Sequence, residues 1–131
     1  MLDETKQNTN MKRYLLILLV SIPLTLRAQE TVTISADNLY AEYDANEVSA
    51  DGKYKGHQVI VTGTVQKVAK DILGSPYVII SGTDMLAGVQ CVFPKNAESR
   101  LSGLSKGDKV TISGTVKGKM MRVLMSDCSL Q

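Results

Sequence analysis

The sequence has little of what most active sites and ring-stacking surfaces are made from. Its 131 residues include no Trp, one Phe and one His, and aromatic residues make up 5%. A binding surface built on stacked rings would therefore have few rings to use. With His57 as its one imidazole and no G-x-S-x-G sequence, the chain offers no Ser/His/Asp triad. We therefore expect neither an enzyme nor a cofactor.

Cysteine is equally scarce. The chain has two Cys and no C-x-x-C, which argues against dithiol redox catalysis, and two Cys with one His do not make a recognised zinc spacing. No metal site is expected. The carboxylates that could form a catalytic pair fall in or near turns, where Asp is expected to make local hydrogen bonds. They are Asp71, Asp84, Asp108 and Asp127.

The chain lacks an apolar run long enough to span a membrane. Its longest, Tyr14 to Leu26, is interrupted by Pro23 and falls short of the roughly 20 residues that a bilayer requires. Met-Lys-Arg precedes this run and Ala28 follows it, the order typical of a secretory signal peptide. We interpret residues 1–28 as a prefix and cleavable signal peptide. The expected product starts near Gln29, is periplasmic or secreted, and has no stable membrane anchor.

The rest of the chain, residues 29–131, has the length and composition of one globular domain. Hydrophobic residues make up 44% of the sequence. The formal net charge of +2 belongs to the leader. Residues 29–47 contain five acidic and no basic residues, whereas residues 48–131 contain eleven basic and six acidic ones. A basic body is therefore preceded by an acidic segment of equal and opposite charge.

That acidic segment has helical periodicity. Ser35 can cap a helix whose first turn carries Asp37, and Ala36, Leu39, Tyr43 and Ala50 fall on one face. Asn46 interrupts this stripe, and we expect its side chain at the edge of the stripe, half exposed. The pattern predicts one amphipathic helix over residues 36–49, with Asp51-Gly52 as a stop signal.

An internal repeat locates two strands. Residues 55–65 and 106–116 share the pattern K-G-x-x-V-x-x-x-G-T-V. Each copy alternates apolar residues with Gly63 or Gly114 in an inward slot, as expected where a long strand bends to close a small barrel. The alternative is that these glycines admit a ligand. Further strands are predicted at 77–81, 87–93, 121–125 and 128–130, with an irregularity at 126–127, and a short helix at 96–104.

The order is three strands, a short helix and two strands. This predicts an all-β domain with one leading α-helix: a five-stranded OB-fold Greek-key barrel over residues 56–130, with a short helix between strands three and four. A parallel β/α sheet is disfavoured because only one helix interrupts the strands.

Several segments resemble the tRNA-anti-like family of small bacterial OB-fold domains. They are Ala50 to Gly56, Val59 to Val65, Tyr77-Val78, Gly88 to Phe93, Leu104 to Val110 and Asp127 to Ser129. The resemblance covers roughly residues 36–130. It implies a barrel, an exported or lipid-anchored bacterial protein without an assigned reaction, and, from the family name, a nucleic-acid ligand.

The two cysteines lie on predicted neighbouring strands. Cys91 shares an inward face with Val89 and Phe93, and Cys128 lies on the last strand. In an exported chain an even cysteine count predicts a disulfide. The alternative is a pair of buried free thiols.

OB-folds bind ligands on the face of their second and third strands and with the two flanking loops. In this chain the candidate ligand-binding residues are Lys67, Lys70, Tyr77, Lys117, Lys119 and Arg122. Our first hypothesis is a monomeric, non-catalytic envelope module that binds an envelope protein, a small ligand or an oligosaccharide. The second is a module that binds single-stranded nucleic acid, a hypothesis that is disfavoured by the zero net charge of residues 29–131, by the few aromatic residues and by export. The third is a self-associating structural envelope protein.

Overall fold

The computed structural model describes residues 30–82, 84 and 86–131, and the predicted signal peptide lies outside them. Six strands and three α-helices make up this part of the chain. In chain order they are β1 (Val32–Ser35), α1 (Ala36–Ala45), α2 (Glu47–Tyr54), β2 (Gln58–Lys70), β3 (Pro76–Ser81), β4 (Val89–Val92), α3 (Glu98–Leu101), β5 (Lys109–Lys119) and β6 (Val123–Leu130). A 3₁₀ turn, Lys95–Ala97, leads into α3.

Strands β2 to β6 close into a five-stranded barrel. The order is β2, β3, β4, β6, β5, and β5 pairs back with β2. β4 and β6 run parallel, whereas the other barrel pairs are antiparallel. α3 lies between the third and fourth barrel strands, so the predicted OB-fold is confirmed.

One strand was not predicted. β1 pairs in parallel with the first half of β2, with Val32 opposite Val59 and Ser35 opposite Thr62. It has four residues and lies outside the barrel, so it adds a short edge and leaves the five-stranded closure unchanged. Four residues are too few for an alternating pattern to distinguish this strand from an irregular segment that leads into the N-cap of the following helix.

The leading helix is divided, so the prediction of one helix over residues 36–49 is wrong. Asn46 is extended (φ −159°, ψ 94°), and its side chain accepts a hydrogen bond from Ser49 N at 3.0 Å. An Asn that caps a new helix ends the preceding one, because the cap residue must leave helical geometry. Asp51-Gly52 does not stop α2, which continues to Tyr54. The chain turns instead at Gly56, whose φ is +80°.

Both inward glycines are needed by their packing. A Cβ on Gly63 would lie 3.2 Å from the Cβ of Ile80 and 3.3 Å from the Cβ of Ala36. On Gly114 it would lie 2.7 Å from the Sγ of Cys128. The Sγ of Cys128 therefore occupies the slot at Gly114, and Ile80 and Ala36 pack closely against Gly63.

The last strand begins later than predicted. It is continuous over Val123–Leu130, and Met121 lies exposed in the loop before it, so the strand predicted from residue 121 is too long. The predicted irregularity at 126–127 is confirmed, because Asp127 has φ +52° and the register against β5 shifts between Ser113 and Thr115. The core inside the barrel includes the valines of β2 and both cysteines.

Candidate binding surface of the barrel

The outer face of the sheet carries a mixed row of apolar and polar side chains. Tyr77 and Ile79 alternate with core residues of β3 and therefore point away from the barrel interior, but Ile79 is covered by its neighbours and only 3% exposed. Across the neighbouring strands, Ile79 is in register with Lys67 and Gln90. Tyr77 is half buried and in register with Ala69 and Val92. The structure thus brings two of the predicted site residues, those at 67 and 77, to one face.

Two loops bound this face. Residues 71–75 join β2 to β3 beside Tyr77, and residues 120–122 join β5 to β6 beside the pair formed by Val89 and Val123. Each loop carries two strongly exposed apolar side chains. They are Ile72, Leu73, Met120 and Met121.

The first loop is held in shape by one carboxylate. Asp71 Oδ1 accepts hydrogen bonds from the backbone N–H groups of Leu73 and Ser75, both at 2.9 Å. This is the local bonding expected of an Asp in a turn. Because the turn is closed by its own side chain, Ile72 and Leu73 are held outward, away from the core.

Two of the predicted basic residues are engaged elsewhere. The Nζ of Lys119 lies 3.4 Å from Asp44 Oδ1 and 5.2 Å from the ring centroid of Tyr40, so this side chain covers α1. Only 18% of it is exposed. Lys70 forms an ion pair with Glu98 of α3. These contacts join residues far apart in the sequence, and only the opposite charges of the leading segment and the barrel hinted at the first of them.

The remaining predicted cations differ in their surroundings. Lys67 and Lys117 are exposed and have no charged partner among the described residues. Arg122 is half buried in the loop 120–122, where its carbonyl oxygen accepts a hydrogen bond from Met120 N at 3.0 Å. The structure therefore does not gather the six predicted residues into one basic patch.

A cleft at the start of α1 was not predicted from the sequence. It has a volume of about 360 Å³ and opens where β2 changes partner from β1 to β3. Its walls include Asp37, Ser81 and Lys109, and Asp37 Oδ1 accepts a hydrogen bond from Gly82 N at 2.6 Å. The hydroxyl of Ser81 is buried without a partner in the described part of the chain. The two threonines on either side of Gly63 are the sequence feature that could have indicated this cleft.

The α1–α2 hairpin is held together by two tyrosines. The hydroxyl of Tyr43 donates to Asp51 Oδ1 at 3.0 Å, and its ring centroid lies 6.4 Å from that of Tyr54. Burial, and then the hydrogen bond to Asp51, raise the pKa of Tyr43 well above its usual value. Burial is also the main reason why the pKa of Tyr54 is raised. Both phenols therefore stay protonated at neutral pH.

The two cysteines are thiols in this structure, and both are buried. A hydrogen bond joins them, and this bond, followed by burial, raises the pKa of Cys91 well above its usual value. Cys128 also lines a cavity of about 430 Å³ between α3 and β6. The predicted disulfide stays a prediction.

Neither a metal-ligand cluster nor a membrane-spanning helix is found among the described residues. Within 30–82, 84 and 86–131, no three His, Cys, Asp or Glu side chains are grouped so that they could hold a metal ion. His57 is exposed and lies just before β2. In the same ranges no helix has both the length and the apolar character needed to cross a bilayer.

The fold and this surface define a class: a small OB-fold domain that has a mixed sheet face between two loops. The family description tRNA_anti-like matches residues 3–129, and the chain belongs to this family of OB-fold binding domains, which is not an enzyme family. The resemblance noted in the sequence is thereby confirmed. No curated protein sequence matches the chain.

Two solved structures illustrate the fold. A lipoprotein of Klebsiella pneumoniae subsp. pneumoniae MGH 78578, to which nucleic-acid binding is attributed, is similar with a TM-score of 0.62 and 22% identity, over 77% of this chain and 92% of that one. OBody AM2EP06, bound to hen egg-white lysozyme, is similar with a TM-score of 0.47 and 22% identity, over 60% and 82% of the two chains. The first similarity supports the OB-fold.

Proposed function

We propose that this chain is a non-catalytic, exported OB-fold module of the cell envelope that binds a segment of another protein on its outer sheet face. The observation that carries this proposal is the chemistry of the two loops. Their tips are apolar and exposed, at Ile72, Leu73, Met120 and Met121, whereas Lys70 and Lys119 at their bases are paired with carboxylates. A surface of this kind suits a weakly charged partner better than a polyanion.

The residues on the face fit the same partner. The half-buried ring of Tyr77 offers apolar contact area, and Gln90 on the same face can donate and accept hydrogen bonds. Aromatic residues and Met are enriched at protein interfaces, whereas Lys is depleted. The exposed side chain of Lys67 lies at one side of this face, where a rim charge would steer a partner without dominating its affinity.

The exported address is supported by the leader and by one structurally similar protein. Residues 11–28 have the order of a signal peptide, and a structurally similar protein is a lipoprotein. We expect cell fractionation to recover the chain outside the cytoplasm, with an N-terminus near Gln29 by mass spectrometry. Recovery of an uncleaved chain in the cytoplasm would contradict this part of the proposal.

Site-specific photo-crosslinking in cells tests the surface. A benzophenone amino acid at position 72 is compared with the same group at position 48, because Val48 is also exposed and apolar but lies on α2. We expect a discrete protease-sensitive adduct from position 72 and none from position 48. Equal labelling from both positions would contradict a specific surface.

The alternative functions give other products in the same experiment. A nuclease-sensitive adduct would favour the nucleic-acid hypothesis, which the exposed Lys67 beside Tyr77 keeps open. A product of twice the chain mass would favour self-association. The edge strand β1 has only four residues, which offers little template for that.

A further inference from the structure

Cys91 and Cys128 meet inside the barrel although they are far apart in sequence. β4 and β6 are parallel neighbours, with Cys91 in register with Met125. The irregularity at Asp127 then turns Cys128 into the core, where its thiol and that of Cys91 are hydrogen-bonded. The exposed fractions are 0% for Cys91 and 3% for Cys128.

The two sulfurs differ in access. Cys128 is one wall of the cavity of about 430 Å³ between α3 and β6, which also includes Asn96 and Arg100. Cys91 is not part of that cavity. Gly114 leaves the space that the Sγ of Cys128 occupies. A reagent that enters the cavity therefore reaches Cys128 before Cys91.

We propose that Cys91 and Cys128 are an oxidation site that forms an intramolecular disulfide in a fixed order, with Cys128 reacting first and Cys91 second. The order follows from access, because Cys128 lines the cavity and Cys91 does not. It does not depend on which ligand the sheet face binds. The oxidant is a disulfide, either a small one such as oxidised glutathione or one in an envelope thiol oxidoreductase.

Two thiol–disulfide exchanges make up the reaction. First, the Cys128 thiol loses its proton to solvent, its sulfur bonds to one sulfur of the oxidant, and the other oxidant sulfur leaves as a thiolate that takes up a proton. Second, Cys91 loses its proton, and its sulfur attacks the Cys128 sulfur and releases the second oxidant thiol. Two protein thiols have become a disulfide, and the oxidant has gained two electrons and two protons.

Oxidised glutathione and two serine variants test the order. The chain without residues 1–28 is purified reduced and treated under native conditions, and intact mass is measured over time. We expect Cys91→Ser to accumulate one glutathione adduct at Cys128, and Cys128→Ser to remain at least about tenfold less modified. An adduct of equal extent on both variants would overturn the order.

Circular dichroism reports whether each variant folds. If one does not, the chain without substitutions still tests the proposal. Acid quenching during its oxidation, followed by peptide mapping, should show glutathione on Cys128 and, at completion, a Cys91–Cys128 disulfide. Glutathione found first on Cys91, or a chain that keeps both thiols after exhaustive native oxidation, would overturn the proposal.

The disulfide should also change stability in a measurable way. A bridge closes a long loop of the unfolded chain and reduces its conformational freedom. We expect the Tm of the oxidised chain to exceed that of the reduced chain by roughly 10 °C or more. The double variant Cys91→Ser, Cys128→Ser is the matched control, since its Tm should not respond to the oxidant. An oxidised chain with an unchanged or lower Tm would contradict a native bridge.

Discussion

The two copies of the K-G-x-x-V pattern form neighbouring barrel strands, yet the same glycine meets different partners in each. Gly63 of β2 faces carbon atoms of Ile80 and Ala36 at 3.2 and 3.3 Å, while Gly114 of β5 faces the Sγ of Cys128 at 2.7 Å. Similar local sequence produces similar strands and the same inward slot. What fills each slot comes from other elements, α1 and β3 in one case and β6 in the other. Equal substitutions should therefore have unequal effects.

The largest effect is expected from Gly114→Ala compared with Gly63→Ala. An added methyl at 114 would overlap the sulfur of Cys128 and approach the backbone oxygen of Ser126 at 3.1 Å, whereas at 63 small shifts of Ile80 can accommodate it. We expect Gly114→Ala to lower the free energy of unfolding by about 3 kcal/mol and Gly63→Ala by about 1 kcal/mol. Urea denaturation of the reduced chain measures both. Equal losses would show that the neighbours do not decide the cost.

A double-mutant cycle sharpens that difference. Cys128→Ala removes the sulfur nearest Gly114 and leaves a gap that the new methyl of Gly114→Ala can fill. We expect the double variant to be about 1 kcal/mol more stable than the sum of the two single changes predicts. The control pairs Cys128→Ala with Gly63→Ala, which should be additive. Additivity in both pairs would contradict the contact.

The α1–α2 hairpin packs on two neighbouring barrel strands, since α1 contacts β2 and α2 contacts β5. Tyr43→Phe removes the hydrogen bond to Asp51 and should lower the free energy of unfolding by about 1 kcal/mol at neutral pH. Tyr40→Phe is the matched control, because the Tyr40 hydroxyl has no hydrogen-bond partner among the described residues and the Phe ring keeps the contact with Lys119. Denaturant unfolding measures both, and a larger loss for Tyr40→Phe would contradict the role given to Tyr43.

The raised pKa of Tyr43 also predicts a pH dependence. The folded state keeps this phenol protonated while the unfolded chain ionises near the ordinary value of 10.0, so stability is complete below about pH 10 and falls as the pH rises above it. Tyr43→Phe should reduce this alkaline loss. An identical loss in the variant would assign it to other groups.

The smallest effect is expected where the end of β5 meets α1. Lys119→Ala removes the ion pair with Asp44, whose side chain is 64% exposed, and the contact with Tyr40. Solvent screens such a pair, so we expect a loss of at most about 1 kcal/mol that shrinks in high salt. Lys117→Ala, an exposed neighbour on the same strand, should change stability less. A salt-independent loss would point to packing of the side chain and not to its charge.

The barrel could be predicted because its pattern is local. Alternating apolar residues, the repeated glycines and the order of elements are visible in the sequence, and the predicted caps and turns at Ser35 and Asp71 are confirmed. The division at Asn46 was missed because an interrupted stripe fits either one continuous helix or two capped ones. The last strand was predicted to begin at Met121, and so to include residue 122, because an apolar Met suits a strand as well as an exposed loop.

The candidate site was less predictable because it depends on contacts between distant residues. Charge counts revealed an acidic segment and a basic barrel, but not that Asp44 would hold Lys119 or that Glu98 would hold Lys70. Because of those two ion pairs, the predicted basic residues do not act as one patch. The exposed apolar loop tips are then the distinctive feature of the surface. Long-range pairing of this kind is set by topology, which residue spacing does not encode.

Titration of labelled single-stranded DNA and RNA with the chain lacking residues 1–28, followed by fluorescence anisotropy at low and physiological salt, tests the proposed function most directly. A face suited to a weakly charged protein segment predicts no saturable binding at either salt concentration. Saturable binding at low salt that weakens steeply as salt rises, and that Lys67→Ala with Lys117→Ala abolishes, would contradict the account.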